Sequence, residues 1–114
     1  MSSYTTATTT VTQGTIVRFY TSQPFTNLSG VVADPTEVVF AFQVAGGVVR
    51  QATYGTSQAW GTIVRDSTGS YHIDIDTTSF GPGIYQYVWA GAGTVQCRAE
   101  GQVEVVEPQV PLTF

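Results

Sequence analysis

At 114 residues the chain has room for one hydrophobic core and not for two. Only 11% of its residues are charged, where about 25% is usual, so a largely neutral surface of Thr, Ser, Gln and Gly is expected. With four arginines, no lysine and a net charge of −4, it lacks the cationic footprint that binding to nucleic acid or to an anionic membrane requires.

Residues 1–14 are rich in Thr and Ser, and Tyr4, Ala7 and Val11 give them too little apolar content to offset the entropy of ordering on their own. They are expected to form an arm. Its β-branched threonines favour extended backbone, so an ordered arm would join a sheet edge or lie on a partner. Regular structure is expected from Thr15, with a first strand over 16–21. Pro24 then limits pairing and marks an edge strand that bends. Asn, Ser, Gly, Asp and Pro crowd into residues 27–36, a connection from one sheet to another. The next strand covers 37–44, with Val38, Phe40, Phe42 and Val44 as its inward row. Gly46-Gly47 suits a hairpin turn, after which a strand returns over 48–54. A loop over 55–61 carries Trp60, and a short strand over 62–65 and a turn over 66–69 follow.

The most regular alternation lies between Gly69 and Trp89. Tyr71, Ile73 and Ile75 point one way and His72, Asp74 and Asp76 the other, the pattern of a strand with one dry and one wet face. Gly81-Pro82-Gly83 stops that strand. Tyr85, Tyr87 and Trp89 then alternate with Ile84, Gln86 and Val88, a more apolar run expected nearer the centre of the packing. Residues 90–93 read as a hairpin, followed by strands over 94–99 and 102–106 joined through a bulge at Gly101. Pro108 and Pro111 end the sheet and leave a tail over 108–114 that closes on Leu112 and Phe114. About seven or eight short strands without helical periodicity predict an all-β, antiparallel two-sheet sandwich. It should span residues 15–107, between N- and C-terminal arms. A small closed barrel is the alternative that the same alternation permits. The expected core comprises Val17, Phe19, Val38, Phe40, Phe42, Tyr71, Ile73, Ile75, Tyr85, Tyr87 and Trp89.

Catalytic chemistry finds little to use. His72 is the sole histidine and reads as a solvated residue on a wet strand face, and Cys97 has no second histidine to activate it. No catalytic residue is expected. One cysteine also means no internal disulfide. The N-terminus has neither the basic start nor the apolar run of a secretory signal, so cytoplasmic synthesis is expected, and Asn27-Leu28-Ser29 reads as a chance match to a glycosylation acceptor. His72, Asp74 and Asp76, with Asp66 or Glu100 approaching from a neighbour, would offer oxygen-rich ligation to a hard cation such as calcium. Alternating polar residues on a wet face explain the same pattern without a metal, and no metal or other cofactor is expected. Trp60, if exposed, would offer a ring on which a sugar could stack.

The run Gly83-Ile84-Tyr85-Gln86-Tyr87-Val88-Trp89, between a loop and a hairpin, resembles strand F of immunoglobulin-like domains. The resemblance puts Tyr85 at the tyrosine corner and Tyr87 where antibody domains have their second cysteine. It therefore implies a branch without that disulfide, its space filled by a ring. More narrowly, four segments are similar, in order and spacing, to a group of small proteins encoded among the structural genes of tailed bacteriophages. They are Asp34-Pro35-Thr36-Glu37-Val38-Val39-Phe40, Tyr54-Gly55, Val64-Arg65-Asp66-Ser67-Thr68-Gly69-Ser70-Tyr71-His72-Ile73-Asp74 and Gly83-Ile84-Tyr85. The similarity spans residues 17–106 and implies a non-enzymatic virion component, a head decoration or head-to-tail joining protein whose partners are other virion proteins. A chain starting at its own Met without a signal is expected to leave the host cytoplasm by assembly and lysis, and a neutral surface suits burial against neighbouring subunits. Thr8, Thr10 and Val11 in the N-terminal arm, Leu112 and Phe114 in the tail, and Trp60 are the candidate contact residues. A carbohydrate-binding or adhesion module, taking a host-surface glycan, is the alternative.

Overall fold

The computed structural model describes residues 9–21, 23–93 and 97–107, and of Thr9 and Cys97 the backbone alone. Among the described residues eight strands are formed: β1 (Thr9–Thr12), β2 (Ile16–Tyr20), β3 (Glu37–Val44), β4 (Val49–Thr53), β5 (Val64–Ser67), β6 (Ser70–Asp76), β7 (Gly83–Ala92) and β8 (Cys97–Val106). A 3-10 turn, Thr77–Ser79, separates β6 from β7. The strands form two sheets, of order β1-β8-β7-β3-β4 and β2-β6-β5, so the chain is the expected sandwich and not the closed barrel. Pairing is antiparallel throughout except for β1, which lies parallel to β8.

Period-two alternation places the core between the sheets. Phe19 from β2, Val38, Phe40 and Phe42 from β3, Tyr71, Ile73 and Ile75 from β6, and Tyr85 and Trp89 from β7 are all buried there. Val17 and Tyr87 pack against this cluster half-buried. As its apolar run foretold, β7 is central, paired on one side with β8 and on the other with β3. Phe25, Ala52, Ile63, Val103 and Val105 complete the core. Phe25 lies between Pro24 and the connection read over 27–36, and backbone bonds hold it there: its N–H donates to the Gly69 carbonyl at 2.9 Å, and its own carbonyl accepts from Ala33 at 3.0 Å.

Three boundaries differ from the sequence reading. The strand expected over 62–65 runs instead from Val64 to Ser67, with a register shift between Arg65 and Ser67. No bulge interrupts β8 at Gly101, because that residue pairs directly with Tyr87, whose ring fills the space a side chain would need. A Cβ on Gly101 would come 2.5 Å from the Tyr87 hydroxyl. Ala90, Gly91 and Ala92 continue β7 instead of turning.

Within the segment read as an arm, residues 9–12 pair with β8, and Val11 packs against the core. The N–H of Gln13 extends the contact to the Val106 carbonyl at 2.8 Å. Thr77, fully buried, then ties the crossing into β2 by accepting from the Gly14 N–H at 2.9 Å and donating to the Thr15 carbonyl at 2.7 Å. Residues 1–8 and the tail 108–114 lie outside the described part of the chain.

Candidate functional site

Asp34, immediately ahead of β3, is the hub of one end of the sandwich. One carboxylate oxygen accepts from the Gly69 N–H at 2.8 Å and the Tyr71 hydroxyl at 2.9 Å. The other takes the Arg65 guanidinium at 2.9 Å, and Arg65 donates onward to the Thr68 hydroxyl at 3.0 Å. The guanidinium first, then the Gly69 N–H, holds the Asp34 carboxyl down at about 2. Burial first, then the bond to Asp34, pushes the Tyr71 phenol up to about 12. Gly69 turns with φ 76°, and a Cβ there would meet the Phe25 carbonyl oxygen at 2.8 Å, so this turn requires glycine. The Tyr71 ring also lies edge-on to Tyr54 at 5.4 Å. The segments at Asp34 and at residues 64–74 thus meet in one hydrogen-bonded knot, with Tyr54 packed against it, and these residues serve the fold.

His72 overturns its reading as a solvated residue. Only 8% of it is exposed, and its Nδ1 lies 2.7 and 2.8 Å from the two carboxylate oxygens of Asp66. The reason is topological: β6 is the middle strand of the smaller sheet, so Tyr20 and Val64 stand directly opposite His72 on either side. The rest of the supposed cation site is committed elsewhere. Asp74 receives two bonds from Arg18, at 2.9 and 3.1 Å, and Asp76 caps the 3-10 turn by accepting from the Thr78 N–H at 2.9 Å. Glu100 belongs to the other sheet, paired with Arg98 at 2.9 Å. Among the described residues no three of His, Cys, Asp and Glu come close enough together to hold a metal ion.

The candidate contact residues are scattered. Thr10 is exposed on β1 while Val11 faces the core. Trp60 is half-buried, its ring edge-on to Phe42 at 5.1 Å, so it is part of the packing and not a free-standing stacking platform. Thr8, Leu112 and Phe114 lie outside the described residues. Tyr85 donates its hydroxyl to the Gly81 carbonyl at 2.6 Å, closing the tyrosine corner that the resemblance implied. Tyr87 meets Phe19 of β2 edge-on at 4.9 Å, a ring pair in the space between the sheets. Trp89 is core, and its indole N–H finds no hydrogen-bond partner among the described residues.

A different surface comes together on the outside of the larger sheet, which sequence patterning could not assemble because it is built from strands far apart in the chain. Register aligns Thr53, Val39, Ala90 and Arg98 in one row, Gln51, Ala41, Val88 and Glu100 in the next, and Val49, Gln43, Gln86 and Gln102 in a third. Val39, Ala41, Val88 and Ala90 form its centre, with glutamines and Thr53 around them. From β3, β4 and β7 the face receives one ionisable side chain, Glu37 at its margin. The guanidinium of Arg50 is absent from it, lying 4.9 Å over the ring of Phe80. Arg98 and Glu100 neutralise each other along the β8 edge.

No protein-family model and no curated protein matches the sequence. Solved structures do match in fold. The chain superimposes on the ZIG-8 IG1 homodimer with a TM-score of 0.52, at 12% identity over 95% of this chain and 85% of that one. Against the extracellular domain of the voltage-gated sodium channel β4 subunit, seen in parallel homodimers, the TM-score is 0.50, at 13% identity over 95% and 98% of the two chains. With this topology and a closed tyrosine corner, the chain is an immunoglobulin-like β-sandwich.

Proposed function

We propose that the chain is a non-catalytic immunoglobulin-like interaction module that packs against neighbouring protein subunits through the outer face of its larger sheet. The charge-free centre of that face carries the reading. Protein interfaces are depleted in charge at their core and polar at their rim, and small apolar residues bordered by glutamines, Thr53 and the mutually neutralised Arg98 and Glu100 are covered at low desolvation cost. Both immunoglobulin-like neighbours are described as homodimers, the second in cell–cell adhesion, which supports protein contact as a use of such a fold.

The finer reading is that the neighbouring subunits belong to a tailed-phage virion. The chain would then serve as a head decoration or head-to-tail joining protein made in the host cytoplasm. The ordered segments from Asp34 to Tyr85 support it, through their similarity to small phage structural proteins. A mass-spectrometric inventory of purified particles is the test, and the protein is expected in fixed stoichiometry with the major subunits. Its absence from particles, together with specific glycan binding by the isolated monomer, would overturn the proposal in favour of an adhesion module.

A further inference from the structure

The connection between β2 and β3 carries a short hairpin with Leu28 at its tip, fully exposed at 105% relative accessibility. Val31 and Val32 beside it are 59% and 44% exposed. An apolar tip of this kind stabilises nothing in the isolated domain, yet the backbone beneath it is firmly built. Thr26 bridges antiparallel to Val32, the Asn27 N–H donates to the Val31 carbonyl at 2.8 Å, and the Gly30 N–H donates to the Asn27 carbonyl at 2.9 Å. The Asn27 side-chain oxygen accepts from Ser29 at 2.9 Å and Val31 at 3.0 Å, which gives this residue a structural task. The bonds at Phe25 lock the base of the hairpin to the sandwich.

We propose that the hairpin is a preformed anchor whose Leu28 enters an uncharged, apolar pocket on a partner protein, with Val31 and Val32 closing on the pocket's mouth. Residues 21–33 carry no ionisable side chain, so a pocket lined with charge would gain nothing from them and would lose its own hydration. One projecting leucine on a rigid base suits a pocket that takes one side chain, and bracing removes much of the ordering cost on binding. A lipid surface is a poorer fit. Leu28, Val31 and Val32 together offer fewer carbons than a myristoyl chain, itself a marginal anchor, and the hairpin has no cation to hold a headgroup. The inference rests on the reading of the chain as a protein-binding module but not on the sheet face, since the hairpin belongs to neither sheet.

The test uses the full chain in its native setting, with a photoreactive leucine analogue placed in turn at positions 28, 88 and, as an exposed control, 59. Irradiation at 28 should give an adduct with a peptide of one other protein. Leu28→Ala should then weaken binding of that purified protein by about tenfold to hundredfold without moving the melting temperature. Asn27→Ala, which keeps the leucine but loosens its base, should weaken it by about severalfold. An adduct at 28 confined to lipid or to a second copy, none above the control at 59, or an unchanged affinity in Leu28→Ala would overturn the anchor. An adduct at 88 with none at 28 would sink the anchor alone and leave the sheet-face proposal standing, and the converse would do the opposite.

Discussion

Asp34 draws together donors from a turn, a strand and a tyrosine hydroxyl that are more than thirty positions away in the chain. Its folded pKa, about 2, lies below the ordinary carboxylate value near 4, so its contribution to stability is fully present above about pH 4 and is lost as the pH falls through about 2. Asp34→Asn should therefore be less stable than the parent at pH 7 and show a shallower loss between about pH 4 and 2. Denaturant midpoints at pH 2, 3, 4 and 7 would check this. Part of the acid limb should survive, because Arg18 lowers the Asp74 pKa and the Thr78 N–H lowers that of Asp76. An unchanged acid limb in Asp34→Asn would mean that the knot contributes nothing to acid sensitivity. At the alkaline end the sign reverses. The raised Tyr71 pKa gives stability that is complete below about pH 10 and lost as the pH rises through about 12.

Among the elements, β1 shows what local patterning can and cannot reveal. The bounds of β3 and the identity of β7 as a central strand were legible because alternation of apolar side chains is a property of the strand itself. Three threonines and one valine give no such signal. Residues 9–12 form a strand because β8 offers an unpaired edge beside the core, which cannot be seen from the arm's own composition. The same limit hid the burial of His72, set by strands on either side of β6, and the role of Phe25, set by backbone bonds to Gly69 and Ala33. The candidate site was legible only in parts: Tyr85 and Tyr87 through the resemblance to strand F of immunoglobulin-like domains, but not the outer face whose rows join β4, β3, β7 and β8. Truncations should separate the two portions of the N-terminal segment. Removing residues 1–8 should leave the melting temperature nearly unchanged. Removing 1–14 also strips the β8 ladder, the Val11 packing and the bond from Gly14 to Thr77, and should cost about 1–3 kcal/mol, or roughly 5–20 °C. Calorimetry on the two truncations decides it, and equal melting temperatures would show that β1 adds nothing to the domain.

At the scale of the whole molecule the two outer faces are chemically unlike. The smaller sheet turns out Arg18 with Asp74, the Asp66–His72 pair and Asp76, among exposed Ile16, Tyr20 and Val64. The larger sheet turns out a neutral centre. A molecule that used the centre of the larger face for attachment would leave the Arg18–Asp74 pair of the smaller sheet in water, where an exposed ion pair contributes little and needs no partner. Val88→Arg tests this arrangement, because Val88 stands beside Ala41 in the middle of the neutral face. In the free domain the arginine head can reach water along the surface, so the change should cost no more than about 0.5–1 kcal/mol. In the assembled state the added arginine would be covered beside a Glu100 carboxylate that Arg98 already engages, leaving an excess cation in the interface, and association should fall by at least about tenfold. Arg18→Gln, which breaks the ion pair to Asp74 on the opposite face, should leave association unchanged. Sedimentation of each variant with purified partner or particles measures the outcome. Loss of association in Arg18→Gln with normal association in Val88→Arg would mean that the molecule attaches the other way round, by its charged face.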